Sequence, residues 1–238
     1  MESAVREYVT NLRLLFQQDA DTEAWLTGQW IEEELEHGRL ARNYVRDIWP
    51  EFNWPSAFAE YHARIPKQTT IHLRNTPALE ALSRCVTETH AAMMYRCLAS
   101  YTSDHRLKRL LLRFSQDETR HYANFRSIFE SRNKSERNGL WRQGRTIIGR
   151  SELASGRDVS IAFSGLNKYW DHPAPFGRLS FEEFLRRLGR VMKTHYPTRS
   201  AARMLLRPLG ANSFCVRAAR WGFRLGIRAE IRALEARF

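Results

Sequence analysis

The chain has 238 residues, 43% of them hydrophobic, enough for one large domain with a buried core or for a domain plus a helical extension. No apolar run approaches the ~20 residues of a membrane span, and no basic start followed by an apolar run marks a signal peptide, so a cytoplasmic protein without a transmembrane segment is expected. The net charge of +12 is uneven: residues 1–130 carry −2 and residues 131–238 carry +14, which suits an acidic partner or, on ordinary solvated faces, no partner at all.

Val5, Val9, Leu12 and Phe16 recur at helical spacing and predict a first helix over residues 2–18. A polar turn follows, with Asp21 or Thr22 as N-cap of a second helix over 22–47, which stops at Trp49-Pro50. Residues 51–75, with Pro55 and Pro66, read as a connection containing a short helix, long enough to cross between two helical hairpins. Thr76-Pro77 is a cap followed by proline at the first helical position, opening a third helix to about Ser100. Thr102-Ser103-Asp104 leads to a fourth helix over about 105–131. Polar residues and five glycines between 132 and 175 predict loops and short helices, and helices resume at about 179–194, 199–207 and 212–236. The expected fold is all-α: a four-helix bundle over 1–131, with a basic helical extension over 132–238 packed on it. Cys85, Cys97 and Cys215 show no metal-ligand spacing and read as reduced, mostly buried thiols.

The second helix contains Glu34 and His37, and the fourth contains Glu118 and His121. Residues three apart share a helix face, so each Glu-x-x-His pair can grip one metal from one helix. Each pair interrupts an apolar stripe: Leu26, Trp30, Ala41 and Val45 on the second helix, and Leu111, Phe114, Phe125 and Ile128 on the fourth. A carboxylate placed on a core stripe costs several kcal/mol unless a partner compensates it, and a metal is such a partner. A carboxylate-bridged pair of metals needs one more carboxylate from each remaining helix. Glu88 supplies it on the third helix; it and Glu118 lie equally far from the turn near 103 and should meet at one level. On the first helix the inward stripe extends back to Glu2, whereas Glu7 points roughly 200° away from Val5 at about 100° per residue. Glu2 is therefore the expected sixth ligand; a ligand at residue 2 would also fit a true start further upstream. Oxygen-rich ligation with one imidazole per metal suits two iron ions, with manganese as the alternative, better than zinc.

The segment Trp30-x-x-Glu33-Glu34-x-x-His37-Gly38 resembles the soluble acyl-acyl-carrier-protein desaturases, and Asp117-Glu118-x-x-His121 resembles their second motif. The interval from Glu34 to Glu88 is also similar, and the resemblance covers about residues 20–131. It implies a ferritin-like di-iron bundle, with Glu2, Glu34, His37, Glu88, Glu118 and His121 as ligands. It further implies that Asp117 supports His37 and Glu33 supports His121, because a ligating imidazole usually donates its other N–H to a carboxylate. The activity implied is an O2-dependent oxidation of a fatty acyl chain held on an acidic acyl carrier protein, with electrons from an external donor such as a ferredoxin. The family carries a Thr one turn after the third-helix Glu, where this chain has Ala91. That departure leaves room for hydroxylation or N-oxygenation of a quinone, a secondary metabolite or a tRNA base. Metal storage without catalysis is the remaining alternative, and a homodimer stands beside a monomer.

Trp30, Ala91 and Tyr95 are the candidate walls of a substrate pocket, although core filling explains them as well. His90, two residues beyond Glu88, should point away from the metals. On the last helix, Arg217, Arg220, Arg224, Arg228 and Arg232 form a basic stripe beside Phe214, Ala218, Trp221 and Leu225. Such a helix can dock a carrier protein, lie on a membrane surface or pack on the bundle.

Overall fold

The structure, a computed structural model, describes residues 5–17, 19–65, 76–153, 157–170, 179–210 and 214–236. Among them there are helices and no strand. In chain order the helices are α1 (Val5–Phe16), α2 (Ala20–Trp25), a π-helical turn (Leu26–Trp30), α3 (Ile31–Ile48), α4 (Trp54–Arg64), α5 (Pro77–Tyr101) and α6 (His105–Glu136). They continue with α7 (Leu140–Leu153), α8 (Arg157–Tyr169), α9 (Phe181–His195), α10 (Thr198–Leu206), a 3-10 turn (Arg207–Leu209) and α11 (Phe214–Ala236). Contacts divide the chain into two units, Met1–Arg74 with Ser155–Phe181, and Asn75–Ala154 with Glu182–Phe238.

In the first unit, α1 packs on α2, the π-helical turn and α3. Its apolar face is the stripe Val5, Val9, Leu12 and Phe16, all buried. The N-cap of α2 is Asp19, whose side chain accepts from the Thr22 N–H at 3.0 Å. This corrects the expected cap at Asp21 or Thr22. Asp19 is the last residue off helical geometry, so its carboxylate reaches the open N–H groups of the first turn. The π-helical turn lets the helical phase slip, which places both Trp30 and the next residue, Ile31, in the core. Asn53 caps α4 by accepting from the Ser56 N–H at 3.2 Å. Tyr61 and Ile65 of this segment pack with Ile161 of α8. Gly165 makes that packing close: a Cβ there would lie 3.2 Å from the Ala57 carbonyl oxygen.

The second unit is built on the α5–α6 hairpin. Thr76 caps α5, with Pro77 in its first turn, and Asp104 caps α6 by accepting from the Arg106 and Leu107 N–H groups. The short turn between them sets an antiparallel register. Ser115 Oγ donates to the Ala92 carbonyl at 3.0 Å, and Cys85 Sγ lies 3.9 Å from the Tyr122 carbonyl. One level between those two contacts are Glu88 and Glu118. Tyr196, Ala201 and Ile231 pack with Ala92, Met93 and Cys97 of α5, and Val191 and Met192 of α9 join them. Tyr122 Oη donates to the Met204 carbonyl at 2.7 Å, tying α6 to α10.

The stretch 132–175 contains the expected helices, but they take up more of it than loops do. α6 runs on to Glu136 and ends at Arg137 in the left-handed region, φ 51°. α7 and α8 then fill much of the region read as loops and short helices, with Gly144 and Gly149 inside α7 and Gly165 inside α8. A glycine inside a helix costs about 1 kcal/mol, which burial of residues such as Ile147 and Ile161 offsets.

Candidate metal centre

Four buried residues, Glu34, Glu88, Glu118 and His121, are the candidate metal ligands among the described residues. In the second unit, α5 presents Glu88 and α6 presents Glu118 and His121. One donor atom of each of these three second-unit residues lies within 4.8 Å of the other two. His121 Nδ1 is 3.2 Å from Glu118 Oε2 and 3.8 Å from Glu88 Oε2. Glu118 and His121 are each 1% exposed, and Glu88 is 3% exposed.

Two carboxylates at this depth cannot both ionise cheaply. Burial, and then the charge of Glu118, push the Glu88 carboxyl up to about 8, against an ordinary value near 4.5. His121 acts in the opposite direction and only partly offsets them. The buried cation one turn away does not help. Arg84 donates through Nε to Glu80 Oε1 at 3.0 Å, and that pair is itself buried. The cluster thus gathers two buried carboxylates and an imidazole, and the Glu88 carboxyl is held up by that burial and by Glu118. A cation with affinity for oxygen and one imidazole fits this donor set. The neighbouring thiols do not compete for it: burial pushes Cys85 well up, and pushes Cys97 up to about 11, so both stay protonated.

In the first unit, Glu34 and His37 are both buried on α3, three residues apart. Gly38 beside them is buried too. Glu33 is half-buried and accepts from Gln29 Nε2 at 3.0 Å, across the end of the π-helical turn. π-helical turns recur at functional sites, and this one directly precedes the first Glu-x-x-His pair. In the second unit, Asp117 is buried and pairs with Arg120 Nη2 at 2.6 Å. Glu2 lies outside the described residues.

Trp30 is buried in the first unit, its ring 6.4 Å from that of Trp25. Ala91 and Tyr95 are half-buried on α5, and the Tyr95 ring meets Phe114 edge-on at 5.3 Å. A cavity of about 190 Å³ lies between α10 and α11, lined by Arg199, Ala202, Arg203 and Arg224. Ala91 and Tyr95 do not line it. Burial and the Arg150 charge hold His90 below the usual imidazole range, in keeping with a structural role.

Comparison with family models, with curated proteins and with solved structures finds no match to the chain. The site is therefore read from its own chemistry. Sequence reading missed Glu80 and Arg84. Their i, i+4 spacing was visible, but nothing in the sequence showed that both would be buried.

Proposed function

We propose that the chain is an O2-dependent di-iron oxidase on a ferritin-like four-helix bundle. In this reading α1, α3, α5 and α6 are the four helices, and Glu34, His37, Glu88, Glu118 and His121 are ligands. Glu2 is the sixth. The observation that carries the reading is the buried cluster of Glu88, Glu118 and His121, whose donor atoms converge within 4.8 Å. The second buried Glu-x-x-His pair, Glu34 and His37, supplies the matching half. Oxygen-dominated donors with one imidazole per metal favour iron or manganese.

Two ferrous ions, when bound, supply the electrons for activating O2. The residues of the chain set the conditions for that chemistry. Glu88 would bind a metal as its carboxylate, so metal uptake would release the proton that burial favours on it. With metal bound, Asp117 would hold the imidazole of His37, and Glu33 that of His121, each through the ring N–H not used for ligation. Leu111, Phe114 and Phe125, all buried on α6, keep water from the cluster. The substrate is a fatty acyl chain passing Trp30, Ala91 and Tyr95. The +14 of residues 131–238 draws in the acidic acyl carrier protein that holds the chain, and a ferredoxin-type donor supplies electrons.

Two measurements test this in order. Metal analysis with Mössbauer spectroscopy of the iron-loaded protein should show a coupled pair of irons. Reduction under nitrogen, addition of O2 and mass spectrometry of acyl-carrier substrates should then show loss of two hydrogens or gain of one oxygen. A protein that binds no iron would remove the reading altogether. A di-iron protein that leaves every acyl chain unchanged would remove the substrate alone.

A further inference from the structure

Residues 134–151 hold five cations against one carboxylate, Glu136. Glu136 is turned inward: its oxygens accept from the Ala78 N–H and from Asn138 Nδ2, each at 2.9 Å. Arg150 is also engaged, donating through Nε to Thr87 Oγ1 at 3.1 Å. The other four cations, Lys134, Arg137, Arg142 and Arg145, are exposed. Among the described residues the surface around the α6–α7 turn therefore carries an excess of positive charge, with the nearest exposed acid, Glu130, one turn back on α6 and paired with Arg126 at 3.6 Å.

Apolar side chains stand among these charges. Trp141 is 83% exposed, Leu140 59% and Ile148 52%. At about 100° per residue, Trp141, Arg145 and Ile148 fall within about 60° of one another on α7. Gln143 and Ile147, on the other side of the helix, are buried. Gly144 and Gly149 border the exposed stripe, and a Cβ added to either would meet nothing within 4 Å. The face is thus uncovered, and it combines an amphipathic aromatic ring with aliphatic side chains and cations. That combination has a natural medium at the boundary between anionic headgroups and acyl chains, where Trp concentrates and Lys or Arg side chains meet phosphate.

We propose that the Trp141–Arg145–Ile148 face of α7 docks on an anionic lipid bilayer, with Trp141 and Ile148 entering the interface and the four exposed cations meeting headgroup charge. Charge complementarity selects this occupant. A second copy of the chain would set four exposed cations against four more. The apolar side chains protrude from a single convex helix, which suits a soft surface better than a groove-bearing partner. The inference is independent of the metal centre, and apo and metal-loaded protein should behave alike in it.

Sedimentation of the full chain with vesicles tests it directly. Replacing about a third of the phosphatidylcholine by phosphatidylserine should tighten binding about tenfold or more, and 0.5 M NaCl should remove most of that gain. The double variant R142E/R145E should lose about tenfold in affinity for the anionic vesicles, and Trp141→Ala about fivefold. Lipids brominated on their acyl chains should quench parent fluorescence more than that of Trp141→Phe. All these side chains are exposed, so melting curves of the variants should match the parent. Equal binding to neutral and anionic vesicles would overturn the proposal. So would variants that bind like the parent, a concentration-dependent dimer that hides Trp141, or a preference for soluble polyanions without vesicle binding.

Discussion

Glu88→Gln separates the cost of the buried acid from its use. In the metal-free protein the Glu88 carboxyl is pushed up to about 8 by burial and by Glu118, whereas in the unfolded chain it returns to about 4.5. Between these values the native state holds a proton that the unfolded state has lost. Stability must therefore fall as pH rises through this window, and level off above it. The slope is about 1.4 kcal/mol per pH unit while one proton separates the states, so the whole window is worth on the order of 4 kcal/mol. A glutamine has nothing to ionise and removes this slope. At pH 8 metal-free Glu88→Gln should be more stable than the parent by a few kcal/mol, or on the order of 5–10 °C in melting temperature for a protein of this size. At pH 5 the two should be close. Urea unfolding of chelator-treated protein at pH 5, 6.5 and 8, followed by circular dichroism, makes the comparison. With iron added the order should reverse, because the parent gains binding energy that the variant lacks a ligand to collect. A parent stability that is flat from pH 5 to 8, or a variant less stable at pH 8 without metal, would refute the electrostatic reasoning.

Other tests address single elements. Asp117→Asn should weaken iron binding by about 10–100-fold, if Asp117 orients His37. Arg120→Ala, which removes only the surface partner of Asp117, should leave iron affinity unchanged in the same titration. Arg84→Met removes one partner of a buried ion pair in the second unit and should cost about 3–5 kcal/mol in denaturant unfolding. Adding Glu80→Gln to it should recover part of that loss, and a purely additive double variant would show that the pair is not coupled. Gly144→Ala meets open space within α7 and should stabilise by about 0.5–1 kcal/mol. Gly165→Ala should fail to deliver this gain, because its Cβ would press on the Ala57 carbonyl at 3.2 Å. Thermal melts of the two variants side by side decide the point.

Much of the site could be read from residue order alone. Glu-x-x-His spacing places both donors on one helix face whatever surrounds the helix. Thr76-Pro77 and Asp104 cap their helices through local hydrogen bonds, so the α5–α6 turn was recognisable. That turn also predicts the level of Glu88 and Glu118, since an antiparallel hairpin has little freedom in register once its turn is short. The helix starts at Asp19 and the helices α7 and α8 were less legible. Asp19, Asp21 and Thr22 are all competent caps, and the choice among them depends on where the backbone leaves helical geometry. Glycines in 132–175 signal loops by propensity, but packing of Ile147 and Ile161 outweighs a cost of about 1 kcal/mol each.

Three features belong to tertiary structure alone. The Glu80–Arg84 pair could have been a surface i, i+4 contact, and its burial is set by the fold. The raised pKa of Glu88 comes from desolvation and from Glu118, thirty residues away in the chain. The exposed face of α7 exists because α5 covers the opposite side of that helix and, among the described residues, Trp141 stays 83% exposed. Local order therefore determines which donors share a helix face, because helix geometry is local. Burial and charge balance depend on neighbours distant in sequence, and so only the folded chain decides them.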